Sequence, residues 1–183
     1  MGGFVDWGSG LTSTSSVAAT VTLRPADPGD LGECATIWRT AINDYIGRLG
    51  QADIPPEVHP VTRLFAHLQA TDPELFVVAS VSQEHRRTGD AAAGERIVAF
   101  GSAIVRERLW YLSMLFVLPE FQGAGLGRDV LARLLPADDT MARATATDSV
   151  QPISNAIYAT LGLVPRLPRL RLVGLPRRPE GFG

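Results

Sequence analysis

A chain of 183 residues fits one domain with a sizeable core, and 45% hydrophobic with 20% charged residues is the balance of an ordinary soluble globular protein. The formal net charge of −2 argues against a general nucleic-acid or anionic-membrane binder, which would carry a basic excess. All 17 basic residues are arginine, a bias that reads, with the Ala, Gly and Pro content, as GC-rich coding and leaves no ε-amine for self-acylation.

Residues 1–18 are rich in Gly, Ser and Thr and read as a disordered arm, without the basic start and apolar stretch of a secretion signal. An ordered domain is expected over residues 19–174. Thr20-Val21-Thr22-Leu23-Arg24 alternates as a short strand that Pro25 ends. Asp27-Pro28-Gly29-Asp30 supplies turn and helix-cap chemistry, after which Leu31, Cys34, Trp38, Ile42, Tyr45 and Leu49 recur at helical spacing. Cys34 is the only cysteine, so it closes no internal disulfide, and its place on the apolar face predicts a buried, inert thiol. A second helix is expected over residues 61–70 with Leu64, Phe65 and Leu68 inward. Residues 76–81 read as a buried strand and 83–95 as a polar hairpin excursion. Two more strands, 97–105 and 109–118, flank the turn Arg106-Glu107-Arg108.

Leu126, Val130, Leu131, Leu134 and Leu135 then share one face of a helix that starts within a group of glycines. A weaker strand over 141–147, a helix over 150–161 stopped by Gly162, and a last strand through Leu170-Arg171-Leu172-Val173 complete the series. Residues 175–183 read as a tail or linker, as in one module of a longer protein. The order predicts an α/β (α+β) domain, a mixed central sheet flanked by helices. No apolar run approaches transmembrane length, and a cytoplasmic protein without membrane or nucleic-acid partners is expected. His59, His67 and His85 have no ligand spacing with one another or with Cys34, so no metal is expected.

The most informative stretch is Pro119-Glu120-Phe121-Gln122-Gly123-Ala124-Gly125-Leu126-Gly127-Arg128, which joins a strand to a helix through glycines at alternate positions. Such a turn exposes successive N–H groups at a helix N-terminus, where unpaired donors and the helix dipole favour a phosphate or pyrophosphate. A P-loop needs Gly-Lys-Ser/Thr, and the chain has no lysine. The dinucleotide fingerprint needs a small residue where Arg128 stands, and an earlier strand. Both motifs fail, leaving another kind of phosphate cradle or a turn used only for packing.

Gln122-Gly123-Ala124-Gly125-Leu126-Gly127 resembles the Q/R-x-x-G-x-G/A segment of the GNAT (GCN5-related N-acetyltransferase) superfamily, and the preceding Leu115-Phe116-Val117-Leu118-Pro119-Glu120-Phe121 resembles its lead-in. Ser154-Asn155-Ala156-Ile157-Tyr158, followed by Leu161-Gly162-Leu163, is similar to the family's second cofactor-binding helix. The resemblance covers nearly all of the expected domain and implies a GNAT-like fold that binds acetyl-CoA or coenzyme A. It places the pyrophosphate on Gln122, Gly123, Ala124, Gly125, Leu126, Gly127 and Arg128, and the pantetheine arm along Leu115, Phe116 and Val117. The N–H of Phe116 or Val117 would polarise the thioester carbonyl, Asn155 would hydrogen-bond the arm, and Tyr158 would act as the acid beside the sulfur. On helical spacing Ile153, Ile157 and Leu161 form the core stripe beneath Asn155 and Tyr158.

Many relatives carry a carboxylate base on the central strand, whereas Trp110-Tyr111-Leu112-Ser113-Met114 has none. Asp44, Glu57 and Asp148 are the candidates from elsewhere, with a water chain or a partly deprotonated amine as alternatives. Trp110 is expected in the core and Tyr111 near the acceptor. The expected function is N-acetyl transfer to a primary amine, on a small molecule or peptide. A non-catalytic acyl-CoA sensor or regulatory module is the alternative, and a generic phosphate-binding domain a weaker one. A final family strand is not evident after Val173, so a homodimer partner or further residues are expected to complete that edge.

Overall fold

The computed structural model describes residues 20–57, 59–82 and 95–169. The expectations for the arm over 1–18, for the excursion over 83–94 including His85, for the last strand and for the tail lie outside the described residues. The described elements follow the expected order: β1 (Val21–Pro25), α1 (Leu31–Gly47), α2 (His59–Thr71), β2 (Phe76–Ser82), β3 (Glu95–Arg106), β4 (Leu109–Val117), α3 (Leu126–Leu134), β5 (Ala142–Thr145) and α4 (Pro152–Thr160). The strands form one sheet in the order β1-β2-β3-β4-β5. The first four pair antiparallel and β5 joins β4 in parallel, with α3 as the crossover.

Helices cover both faces of the sheet. Phe65 of α2 packs edge-on against Phe76 and Phe100, at ring-centroid distances of 5.9 and 5.2 Å. Phe100 also stacks on Phe116 of β4 at 5.6 Å. The next residue along β3, Gly101, faces the other way, as alternate strand residues must. There α3 sits so close that a Cβ at Gly101 would come within 2.7 Å of Leu134 Cδ1 and 2.8 Å of Val130 Cγ1. Leu126, Val130, Leu131 and Leu134 are buried in that contact, as their helical spacing requires.

The buried indole of Trp110 donates Nε1–H to the Leu134 carbonyl at 2.9 Å. It thereby satisfies one of the carbonyls that the C-terminus of α3 leaves without a helical partner. Trp110 is therefore core, as expected. Cys34 is fully buried as well, and desolvation pushes its thiol pKa up to about 12.

Three stripes depart from the sequence reading, each at one residue. Leu64 and Leu49, read as inward, are 42% and 44% exposed. Ile153, read as core, is 56% exposed, while Ile157 and Leu161 do pack on the core. Leu49 lies beyond the end of α1 and Ile153 in the first turn of α4, where little of the body is left to cover them. Among the described residues no helix is long and apolar enough to cross a membrane, and no cluster of His, Cys, Asp or Glu could hold a metal.

Candidate active site

The parallel pairing of β4 with β5 is short. It runs from Leu109 opposite Ala142 to Leu112 opposite Thr145, where Thr145 Oγ1 donates to the Leu112 carbonyl at 3.0 Å. Beyond that pair, residues 114–117 stay paired with β3 but have no strand on the other side among the described residues. The parting strands open a cleft of about 750 Å³, within the size range of small-molecule and cofactor sites. One face of α1, Ala41, Ile42, Tyr45 and Ile46, forms part of its wall.

The register decides which backbone groups face the opening. Leu118 donates its N–H to Val98 of β3 at 2.9 Å. In an antiparallel ladder direction alternates, so the N–H and C=O of Phe116 and Met114 also point at β3. Those of Leu115 and Val117 point into the cleft. The Val117 carbonyl confirms the direction, since it accepts Gln122 Nε2–H at 3.0 Å from outside the sheet. Of the two donors named from the sequence, Val117 therefore faces the opening and Phe116 does not; Leu115 joins Val117.

A bulge sets this phase. Ser102 pairs with Met114 and Ala103 with Leu112, leaving Ser113 as an extra residue.

The glycine turn closes one end of the same cleft. Gly123 and Gly125 lie at φ of +86° and +89°, in the left-handed region where glycine is favoured, and Gly125 is the N-cap of α3. The first helical bond runs from Arg128 N–H to the Gly125 carbonyl at 2.8 Å. Among the described residues no hydrogen bond takes the N–H groups of residues 123–127. Unpaired N–H groups at the positive end of a helix form a cradle for an anion. Arg128 lines the cleft in the first turn and makes no ion pair among the described residues. The lead-in is pinned by the Arg96–Glu120 ion pair at 2.9 Å, with Arg96 also over the Phe121 ring.

Tyr158 comes to the cleft from α4. It is half-buried, and desolvation pushes its phenol pKa above the ordinary value, partly opposed by the hydroxyls of Thr145 and Ser154 beside it. The group is thus held as a protonated donor at neutral pH.

Of the residues named from the sequence as cofactor-binding, all but Ala124 and Asn155 line the cleft. Asn155 is instead tied to the loop after β5. Its Nδ2 donates to the carbonyls of Gln151, Asp148 and Ser149 at 2.8, 3.2 and 3.3 Å. Its side-chain oxygen is what remains for a ligand.

The polar lining residues to which the sequence reading gave no role include Thr145, Ser154 and Gln151. Gln151 caps α4, its Oε1 accepting Ile153 N–H at 3.3 Å. Of the three carboxylates proposed as base, Asp44 pairs with Arg48 and Glu57 lies elsewhere on the surface. Only Asp148 reaches the cleft.

The sequence profile of the acetyltransferase (GNAT) domain matches residues 69–171, more than half of the chain. The chain belongs to the GNAT acetyltransferase family. No curated protein matches it in sequence. Solved structures agree in fold.

A candidate acetyltransferase from Pyrococcus horikoshii superposes with a TM-score of 0.57 at 17% identity over 79% of this chain, which spans 43% of that protein. Ard1 from Thermoplasma volcanium gives 0.57 at 16% identity, covering 79% of this chain and 82% of its own. The PaiA N-acetyltransferase from Thermoplasma acidophilum, solved in complex with coenzyme A, gives 0.54 at 14% identity, covering 78% of this chain and 88% of its own.

Proposed function

We propose that this GNAT domain transfers an acetyl group from acetyl-CoA to a primary amine. The observation that carries the reading is the single cleft that joins an unpaired N–H cradle, an open strand edge and a protonated tyrosine. The donor set fits coenzyme A. Residues 123–127 and Arg128 suit the pyrophosphate, and the outward N–H groups of Leu115 and Val117 suit a pantetheine amide added as an extra strand.

The thioester supplies the activated acyl group. Val117 N–H, or Leu115 N–H, stabilises the charge that develops on its carbonyl oxygen. Tyr158 gives its proton to the departing sulfur, a leaving group of ordinary thiol pKa about 8.5. Gln122 holds the Val117 carbonyl and so fixes the end of the strand against the turn.

Thermal shifts with coenzyme A, acetyl-CoA and ATP test the binding half: stabilisation by ATP alone would refute it. Thiol release over a panel of amines tests turnover, and tight acetyl-CoA binding without thiol release would assign a sensor instead. The buried Cys34 does not interfere with a thiol reagent.

A further inference from the structure

The helix that carries Tyr158 is held lightly. No residue of α4 is fully buried, and its grip on the core is Ile157 and Tyr158, with Leu161 just past its end. An element with so few buried contacts opens and shifts easily, so polar ties at its two ends decide where the phenol stands. At the C-terminal end Leu163 N–H returns to the Tyr158 carbonyl at 3.1 Å, across Gly162 at φ +75°. At the N-terminal end the tie is Asn155.

Asn155 Nδ2 donates to three carbonyls of the preceding loop, those of Gln151, Asp148 and Ser149, at 2.8, 3.2 and 3.3 Å. Three acceptors around one atom fix which end of the amide points there, since only the nitrogen carries hydrogens. Gln151 N–H closes the same turn on the Asp148 carbonyl at 3.1 Å. The far end of the loop is fixed as well, at Thr145, whose hydroxyl holds the Leu112 carbonyl. Asn155 itself lies off the cleft lining, whereas its neighbours Ser154 and Ala156 are part of it.

We propose that Asn155 is a positioning residue that pins the first turn of α4 to the end of β5 and so sets where Tyr158 stands in the cleft. It does this by clasping the carbonyls of Asp148, Ser149 and Gln151, and it does not touch the cofactor. The proposal rests on the N-acetyltransferase reading and, within it, moves Asn155 from the cofactor arm to the placing of the acid. Less than one turn of helix separates Asn155 from Tyr158, so a shift of that first turn is carried to the phenol. A misplacement of about 1 Å at a reacting group can cost about 10²-fold in rate.

Asn155→Ala takes away the donor, and water can meet the exposed Asp148 and Ser149 carbonyls in its place, so the fold survives. The cradle and the open strand edge lie on the other wall of the cleft. Coenzyme A affinity in calorimetry should therefore stay within about twofold of native, while kcat falls by about 10- to 10²-fold. Because the loss acts through Tyr158, it should shrink to under about threefold in a Tyr158→Phe background. A cofactor contact would weaken coenzyme A instead, and a merely structural role would lower kcat equally in both backgrounds.

Ionisation of Tyr158, followed by ultraviolet absorbance as the difference from Tyr158→Phe, needs no turnover. Burial is the main cause of the raised phenol pKa, so loosening α4 in Asn155→Ala should move the ionisation down toward about 10. An unmoved ionisation, coenzyme A weakened about tenfold, or an equal fall of kcat in both backgrounds overturns the proposal. If Asn155→Ala does not fold, Asn155→Ser, which keeps a donor on a shorter side chain, goes through the same measurements. Absence of thiol release with every amine in the native protein would sink the transferase reading, and the ionisation and coenzyme A results would still decide the role of Asn155.

Discussion

Replacing Gly125 by alanine separates a binding cradle from a turn that serves packing alone. Gly125 caps α3 at φ +89° and ψ −9°, and a Cβ built there meets no atom within 4 Å. The cost of the substitution is therefore conformational, about 1–2 kcal/mol for an L-residue in the left-handed region. A thermodynamic cycle fixes where it shows.

If the turn keeps its shape, the free protein loses the full amount and coenzyme A binds as before. If the turn relaxes, the free protein keeps its stability and the ligand must restore the shape, weakening binding by roughly five- to thirtyfold. In both cases the loaded protein loses the same amount relative to the unfolded chain.

Urea unfolding of the free and loaded protein, with Kd from calorimetry, measures both terms. Gly127→Ala is the control. Its Cβ would lie 3.5 Å from Val117 Cγ2, an ordinary contact, and alanine favours the helix by about 0.8–1.0 kcal/mol. It should preserve stability and binding. Gly125→Ala with neither stability nor affinity changed would refute the reasoning, as would Gly127→Ala weakening coenzyme A as much as Gly125→Ala does.

Tyr158→Phe should lower kcat by about 10²–10⁴-fold at unchanged coenzyme A affinity in calorimetry; because burial raises the phenol pKa, the alkaline fall of kcat in the native protein should lie above the ordinary value of about 10. An alkaline limb well below that would give the acid role to another group. Arg24 forms a two-pronged pair with Asp30, at 2.6 and 3.1 Å, and this pair holds the Asp30 carboxyl below its usual pKa. A lowered folded-state pKa stabilises above the unfolded value of about 3.9 and is lost as pH falls through the folded one. Asp30→Asn should accordingly cost about 1 kcal/mol at pH 7 and much less at pH 3, as read by urea midpoints; an equal loss at both pH values would contradict the pairing. Trp110→Phe strands the buried Leu134 carbonyl and opens space at the base of α3, so it should destabilise by about 2–4 kcal/mol while sparing coenzyme A affinity. An unchanged urea midpoint would argue against that bond.

Local chemistry explains what could be read from the chain. The stripe Leu126, Val130, Leu131 and Leu134 repeats at the helical period, and β2 and β3 are continuous apolar runs, so the elements and the glycine turn were legible. Tertiary placement was not. Three carboxylates looked equivalent as candidates, and only the opening between β4 and β5, with α1 against it, brings Asp148 alone into the cleft. Asn155 carries the right chemistry for a ligand contact, yet its nitrogen is spent on the loop at Asp148, Ser149 and Gln151. That loop's path depends on where β5 ends, which nothing near Asn155 encodes.

The phase of β4 shows how one residue decides the chemistry. Upstream of Ser113, Leu112 turns its carbonyl outward to Thr145, and Val105 opposite Trp110 turns its N–H away from β4 to Asp72 Oδ1 at 3.3 Å. Even-numbered residues of β4 therefore face β5 before the bulge. Downstream, Leu118 donates inward to Val98, so even-numbered residues face β3 and odd-numbered ones face the gap. The extra residue at Ser113 reverses the pattern at the point where β5 departs. An unbulged strand would present Met114 and Phe116 to the ligand and turn Leu115 and Val117 inward. The side chain of Phe116 is already committed to the stack on Phe100. The bulge lets that packing stand while the neighbouring backbone donors serve the cleft. In sequence, Ser113 looks like one more residue of an apolar strand, which is why Phe116 and Val117 could not be told apart before the register was known.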